Sequence, residues 1–119
     1  MKGFETYQQN SVATQSPGRL ILLLYEGAIK FLRQAVEELR AGKHCEKGQS
    51  IDRAIDIIDE LNNSLNVEVG GEVAMNLRRL YLFMERHLHE ANAQKDPQRI
   101  EEVIALLSDL YEGWKAVAD

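Results

Sequence analysis

By type and spacing, the residues of this chain best suited to chemistry are Glu85, His87, His89 and Glu90. Glu85 and His89 stand four apart, so on a helix they share a face. A carboxylate and an imidazole so placed can begin a metal site. A metal centre inside a helical bundle needs further carboxylates aimed inward from other helices. The candidates, Glu26, Glu60 and Glu102, all fall on faces shared with other charged residues. The cluster is therefore read as solvated side chains, with His87 at the edge of an apolar stripe. The sequence has no Gly-rich phosphate loop, no Ser-His-Asp or Cys-His pattern and no Cys/His zinc spacing. Without convergent groups of this kind no catalytic residue, metal or cofactor is expected.

A second candidate is His44-Cys-Glu-Lys47-Gly48. Its spacing resembles the His-x-x-Lys-Gly of histidine phosphotransfer domains, which are acidic four-helix bundles with the His mid-helix on the flank. Here the motif follows Gly42 in a polar connector with no apolar stripe through it. Phosphoryl transfer through His44 is thus the enzyme alternative, and a five-residue match in the wrong context carries little weight. The lone cysteine, Cys45, cannot form an internal disulfide, which fits a reducing compartment.

The elements that would position any site are all helical. Ser16-Pro17 is a helix start: the hydroxyl can accept from a first-turn N–H, and proline has none to lose. Leu20, Leu24, Ala28, Phe31, Ala35 and Leu39 then recur at three- and four-residue steps, and Gly42 can close the helix in the left-handed conformation. After 43–49, a charged connector or the frayed first turn of the next helix, Ile51, Ala54, Ile55, Ile58, Leu61 and Leu65 make a second stripe. The poor helix formers of 62–66 end it, Gly70-Gly71 marks the break, and Glu72 opens a third helix striped by Val73, Leu77, Leu80, Tyr81, Met84, Leu88 and Ala91. Asp96-Pro97 starts a fourth, striped from Ile100 to Val117. No strand alternation occurs. Four such helices joined by short turns predict an all-α, antiparallel four-helix bundle over 16–119, preceded by a short mobile arm over 1–15. Its expected core is Leu24, Ala28, Phe31, Ala35, Ile55, Ile58, Leu61, Leu77, Leu80, Met84, Leu107, Leu110 and Trp114.

The totals fit that picture. The chain of 119 residues suits one domain, and its net charge of −5 with no basic cluster argues against a nucleic-acid partner. The longest apolar run, Leu20 to Tyr25, is too short to span a bilayer, and the first residues lack the apolar run of a secretory signal. A cytoplasmic protein without membrane insertion is expected.

What the sequence offers in place of chemistry is spare apolar surface. Leu23, Ile57, Leu82, Phe83 and Leu106 fall on otherwise polar faces. Gly27 lies mid-helix, where it costs about 1 kcal/mol relative to alanine. Either a neighbouring helix of the same chain uses the space over Gly27, or Leu23 and Gly27 belong to a groove for a foreign segment. Several such residues on a small acidic bundle suggest docking of an apolar partner segment, as a helical adaptor would provide.

At the level of motifs the chain is similar to the flagellar export chaperone family FliS. The likeness rests on Tyr7-Gln-Gln-Asn10 with Val12, Ser16-Pro17, Leu24-Tyr25-Glu26-Gly27-Ala28 where the family has Leu-Tyr-Asp-Gly-Ala, Ile57-Ile58-Asp-Glu-Leu61, Ser64-Leu65-Asn66, Gly70-Gly71-Glu72, Asn76-Leu77 and a late Trp114. This resemblance implies a bundle that binds the disordered C-terminal segment of flagellin, blocks premature polymerisation and keeps the subunit fit for flagellar type III export, with the export gate as a further partner. It also implies that Tyr7 and Asn10 lie on an arm able to cover the groove, and that Tyr25 and Gly27 lie in or beside it. The expected partner-binding set is Tyr7, Asn10, Leu23, Tyr25, Gly27, Ile57, Leu65, Leu82, Phe83 and Leu106.

Overall fold

The computed structural model describes residues 17–117. They form α1 (Pro17–Arg40), α2 (His44–Asn63), α3 (Val67–Gln94) and α4 (Pro97–Val117), with no strand among them. α1 packs against α2 and α4, and α3 packs against the same two helices. Short turns make consecutive helices antiparallel, so this ring is the expected four-helix bundle. The arm over 1–15, with Tyr7 and Asn10, and the Ser16 cap lie outside the described residues.

Each turn is set by local chemistry. Gly42 takes φ 76°, its N–H donates to Leu39 O at 3.1 Å, and Lys43 N–H donates to Glu38 O at 2.8 Å. That paired closure satisfies two of the carbonyls a helix end leaves orphaned. α3 ends the same way on Lys95, at φ 54°, with Asp96 N–H donating to Ala91 O at 3.0 Å. Asp96 then caps α4, its Oδ1 accepting from Gln98 N–H at 3.0 Å.

The structure refines the sequence reading at two boundaries. α3 starts at Val67 rather than Glu72, because Asn66 caps it: its Oδ1 accepts from Val69 N–H at 3.2 Å. Gly70-Gly71 is nonetheless the expected break: Gly71, at φ 56° and ψ −129°, kinks the chain between this one capped turn and the long helical run from Glu72 onward, a backbone state open in practice to glycine alone. Of the two readings of the charged stretch over 43–49, the helical one holds: α2 runs from His44, with Lys43 just before its first residue. Lys47 is buried because its Nζ donates to the Asn92 carbonyl at 3.1 Å and to Asn92 Oδ1, and Ser50 Oγ donates to Glu38 Oε1 at 2.6 Å. Such tertiary bonds are what permit polar groups inside a fold.

α1 is also rotated from the expected phase. Leu22, Tyr25, Ala28, Ile29, Leu32, Ala35, Val36 and Leu39 are buried, while Leu20, Leu24 and Phe31 stand at the edge. A helix wedged between α2 and α4 needs a wide apolar face, and its run from Leu20 to Tyr25 is greasy on every side. Of the expected core, Ala28, Ala35, Ile55, Ile58, Leu61, Met84 and Leu107 are buried; Leu24, Phe31, Leu77, Leu80, Leu110 and Trp114 pack against it half-buried.

Candidate functional site

The His/Glu cluster is dispersed by other partners. His87 Nε2 donates to Glu102 Oε1 at 2.6 Å, and its ring stacks on Phe83 with centroids 5.0 Å apart. Glu90 is held by Arg99 at 2.9 Å. Among the described residues no group of three or more His, Cys, Asp or Glu side chains could hold a metal ion. His44 is the exposed first residue of α2, and Lys47 of the same motif is turned inward onto Asn92.

Glu85 has a different consequence. Its Oε2 is buried without a donor among the described residues, and it faces the Asp59 carboxyl of α2. Two such groups are satisfied only while they share a proton. Burial first, and Asp59 second, push the Glu85 carboxyl from 4.5 up to about 7. The folded state then holds a proton that the unfolded chain gives up near 4.5. Stability is full below about 4.5 and is lost as pH rises to about 7. Urea midpoints at pH 5 and pH 8 check this: the midpoint should be higher at pH 5, and Glu85→Gln should flatten the difference.

An apolar concavity lies at the end of the bundle where α1 and α3 begin. Leu20, Ile21 and Leu24 of α1 form one wall, and Val69, Val73 and Leu77 of α3 the other. Buried Leu61 and Tyr81 make the floor, Leu65 lies on the α2–α3 turn, and Trp114 of α4 closes one end. The groove holds about 620 Å³ and is open to solvent. The α3 wall begins with Val69, 83% exposed on the capped turn ahead of Gly71, and continues with Val73, 69% exposed just beyond it. A single exposed apolar side chain is ordinary, but these two stand beside further apolar surface, and it is the contiguous patch that is informative.

Behind the groove a hydroxyl network fixes the wall. Tyr25 OH and Tyr81 OH share a hydrogen bond of 2.5 Å, and Trp114 Nε1–H donates to the Tyr25 oxygen at 3.1 Å. Burial raises both phenols above the usual range, so both stay protonated. Tyr25, expected among partner-binding residues, is fully buried; its role is to set Tyr81 and Trp114 where they line the groove.

Of the other described residues expected to touch a partner, only Leu65 lines this groove. A Cβ on Gly27 would stand 3.3 Å from Ile57 Cδ1, so Ile57 of α2 already uses the space that glycine opens. Leu106 is half-buried against the core. Leu23, Leu82 and Phe83 are 41%, 44% and 39% exposed but lie elsewhere on the surface. Conversely Leu20, Leu24 and Leu77, assigned to core stripes, are groove residues. Their periodicity is that of core residues, and only the unfilled space beside them tells the two apart.

A second concavity of about 720 Å³ runs between α1 and α4. Glu26, Lys30, Arg33, Glu37 and Glu112 line it, and Tyr111 OH donates to Glu26 Oε2 at 2.6 Å. An apolar segment seated there would strip water from charges of both signs at a cost no contact repays.

The comparisons with known proteins agree with this arrangement. The family model "Flagellar protein FliS" matches residues 1–119. The flagellar secretion chaperone FliS of Salmonella typhimurium is 41% identical, over 98% of this chain and 90% of its own. FliSB of Pseudomonas aeruginosa is 41% identical over 99% and 97%, and FliS of Bacillus subtilis 36% identical over 94% and 83%. A crystal structure of a bacterial flagellar chaperone superposes with a TM-score of 0.80 at 22% identity, covering 98% of this chain and 95% of the other, which speaks for the fold. Matched by the family model over its whole length and by these relatives, this helical bundle with its open apolar groove belongs to the FliS family, a family of flagellar secretion chaperones rather than enzymes.

Proposed function

We propose that the groove between α1 and α3 holds the disordered C-terminal segment of flagellin in the cytoplasm, preventing premature polymerisation and delivering the subunit to the flagellar export gate. The observation that carries this reading is the open apolar track from Leu20, Ile21 and Leu24 to Leu65, Leu77 and Trp114 in a member of this family. A disordered client loses chain entropy on binding and needs continuous apolar area to offset it. A groove with helical side-chain spacing along both walls suits an amphipathic helix laid lengthwise. Leu65 contacts the client within the groove; Leu23, Ile57 and Leu106 would be reached only by a client that continues beyond it.

The test is fluorescence anisotropy with a labelled flagellin C-terminal peptide, and saturable binding is expected. Absence of binding under conditions where the protein is folded would refute the client assignment. A second expectation concerns residues 1–15, read as an arm that competes for the groove. Their deletion should leave affinity unchanged or stronger; complete loss would make them part of the site.

A further inference from the structure

α3 carries a second face that the groove does not use. Met75, Arg79, Leu82, Phe83 and Arg86 recur at three- and four-residue steps and lie opposite its buried residues Ala74, Tyr81, Met84 and Leu88. All five are exposed, Met75 at 40%, Leu82 at 44% and Phe83 at 39%. The stripe spans about 17 Å at 1.5 Å per residue. Its charge runs against the rest of the molecule. In a chain of net charge −5, Arg40, Arg99 and Lys115 each hold a carboxylate, yet no ion pair among the described residues includes Arg79 or Arg86. Arg79 reaches only the neutral Asn76 Oδ1, at 2.9 Å, and Arg86 makes no recorded contact. Of the carboxylates on the same side, Glu90 is already bonded to Arg99 and Glu72 lies at the far end beside Met75, seven residues from Arg79, while Glu85 faces α2.

From this juxtaposition we infer that the Met75–Arg86 face of α3 is a docking site for an acidic amphipathic helix of a second protein, separate from the client groove. Aromatic and arginine side chains are the types that anchor interfaces. Phe83, steadied by its stack on His87, and Leu82 supply the apolar centre. Arg79 and Arg86 supply planar forks, and carboxylates are the groups that fit those forks in pairs. A second copy of the same stripe is disfavoured, because it would set arginine against arginine. Nucleic acid is disfavoured by the acidic surroundings.

The probe is a labelled synthetic helical peptide with leucines at every third and fourth position and glutamates between them. It is titrated into the full chain alongside a lysine-for-glutamate peptide and a scrambled glutamate peptide. The glutamate peptide should bind; the controls should bind at least about tenfold more weakly. Arg79→Glu with Arg86→Glu, and separately Phe83→Ala, should each weaken it about tenfold or more with circular dichroism unchanged, while Leu24→Asp in the groove should not matter. No binding, equal binding of the controls, or indifference to Arg79, Arg86 and Phe83 would overturn the site. So would sensitivity to Leu24→Asp or displacement by the flagellin peptide, either of which returns the face to the client. Self-association abolished by the arginine changes in sedimentation would assign it to a second copy instead. None of these readouts requires the flagellin peptide to bind the groove.

Discussion

Leu24→Asp is expected to weaken capture of the flagellin segment by about 100-fold while the bundle stays folded. Leu24 is half-buried on the groove wall and packs against the core from its edge. In the free protein an aspartate there can turn its carboxylate to water. Under a seated client it cannot, and an unpaired charge trapped in an apolar contact costs several kcal/mol. At about 1.4 kcal/mol per decade, a loss of about 3 kcal/mol gives the stated factor. Leu77→Asp on the facing wall should act alike. Leu23→Asp puts the same charge one residue away, on a side chain outside the groove lining, and should cost far less. Anisotropy titration of the three variants, with helicity checked by circular dichroism, measures this directly. Equal losses at Leu23 and Leu24 would show a general charge effect and no groove.

Tyr25→Ala is expected to cost about 3–5 kcal/mol of stability, the range for removing a large buried ring. Domains of this kind hold about 5–15 kcal/mol in total, so this one change brings the bundle close to unfolding. Tyr25 is fully buried, and its hydroxyl is the hub to which Trp114 donates and with which Tyr81 pairs. Tyr25→Phe keeps the ring and removes the hub, leaving a buried N–H and a buried hydroxyl without their partner, at about 1–3 kcal/mol. Urea unfolding separates the two: the alanine variant should lose at least about twice what the phenylalanine variant loses. Equal losses would mean that the ring contributes nothing beyond its hydroxyl.

Much of the fold was legible because its signals are local. Gly42 and Asp96-Pro97 act through bonds within a few residues, so turn chemistry located the end of α1 and the start of α4. Gly70-Gly71 was legible as a break, since Gly71 kinks the chain there; the single turn that Asn66 caps ahead of it was not, because 62–66 carries poor helix formers. Lys47 and Ser50 were illegible as buried residues because their partners, Asn92 and Glu38, lie on other helices. The groove was legible only in outline. Spare apolar surface could be anticipated, but Leu20, Leu24 and Leu77 follow the same three-four steps as the core. A helix apolar on every side, as α1 is from Leu20 to Tyr25, does not declare its rotation. Leu24 was therefore assigned to the core when it faces the open groove, and Tyr25, which the family resemblance put in or beside the groove, is fully buried behind it.

Trp114 makes the central claim directly measurable, because it is the single tryptophan of the chain and closes one end of the groove. A flagellin C-terminal peptide without tryptophan, titrated into the protein, should shift the emission of Trp114 to shorter wavelength and saturate at the affinity found by anisotropy. The shift should vanish in Leu24→Asp at the same peptide concentration. Binding by anisotropy with no change in Trp114 emission would place the client elsewhere on the bundle and contradict the groove.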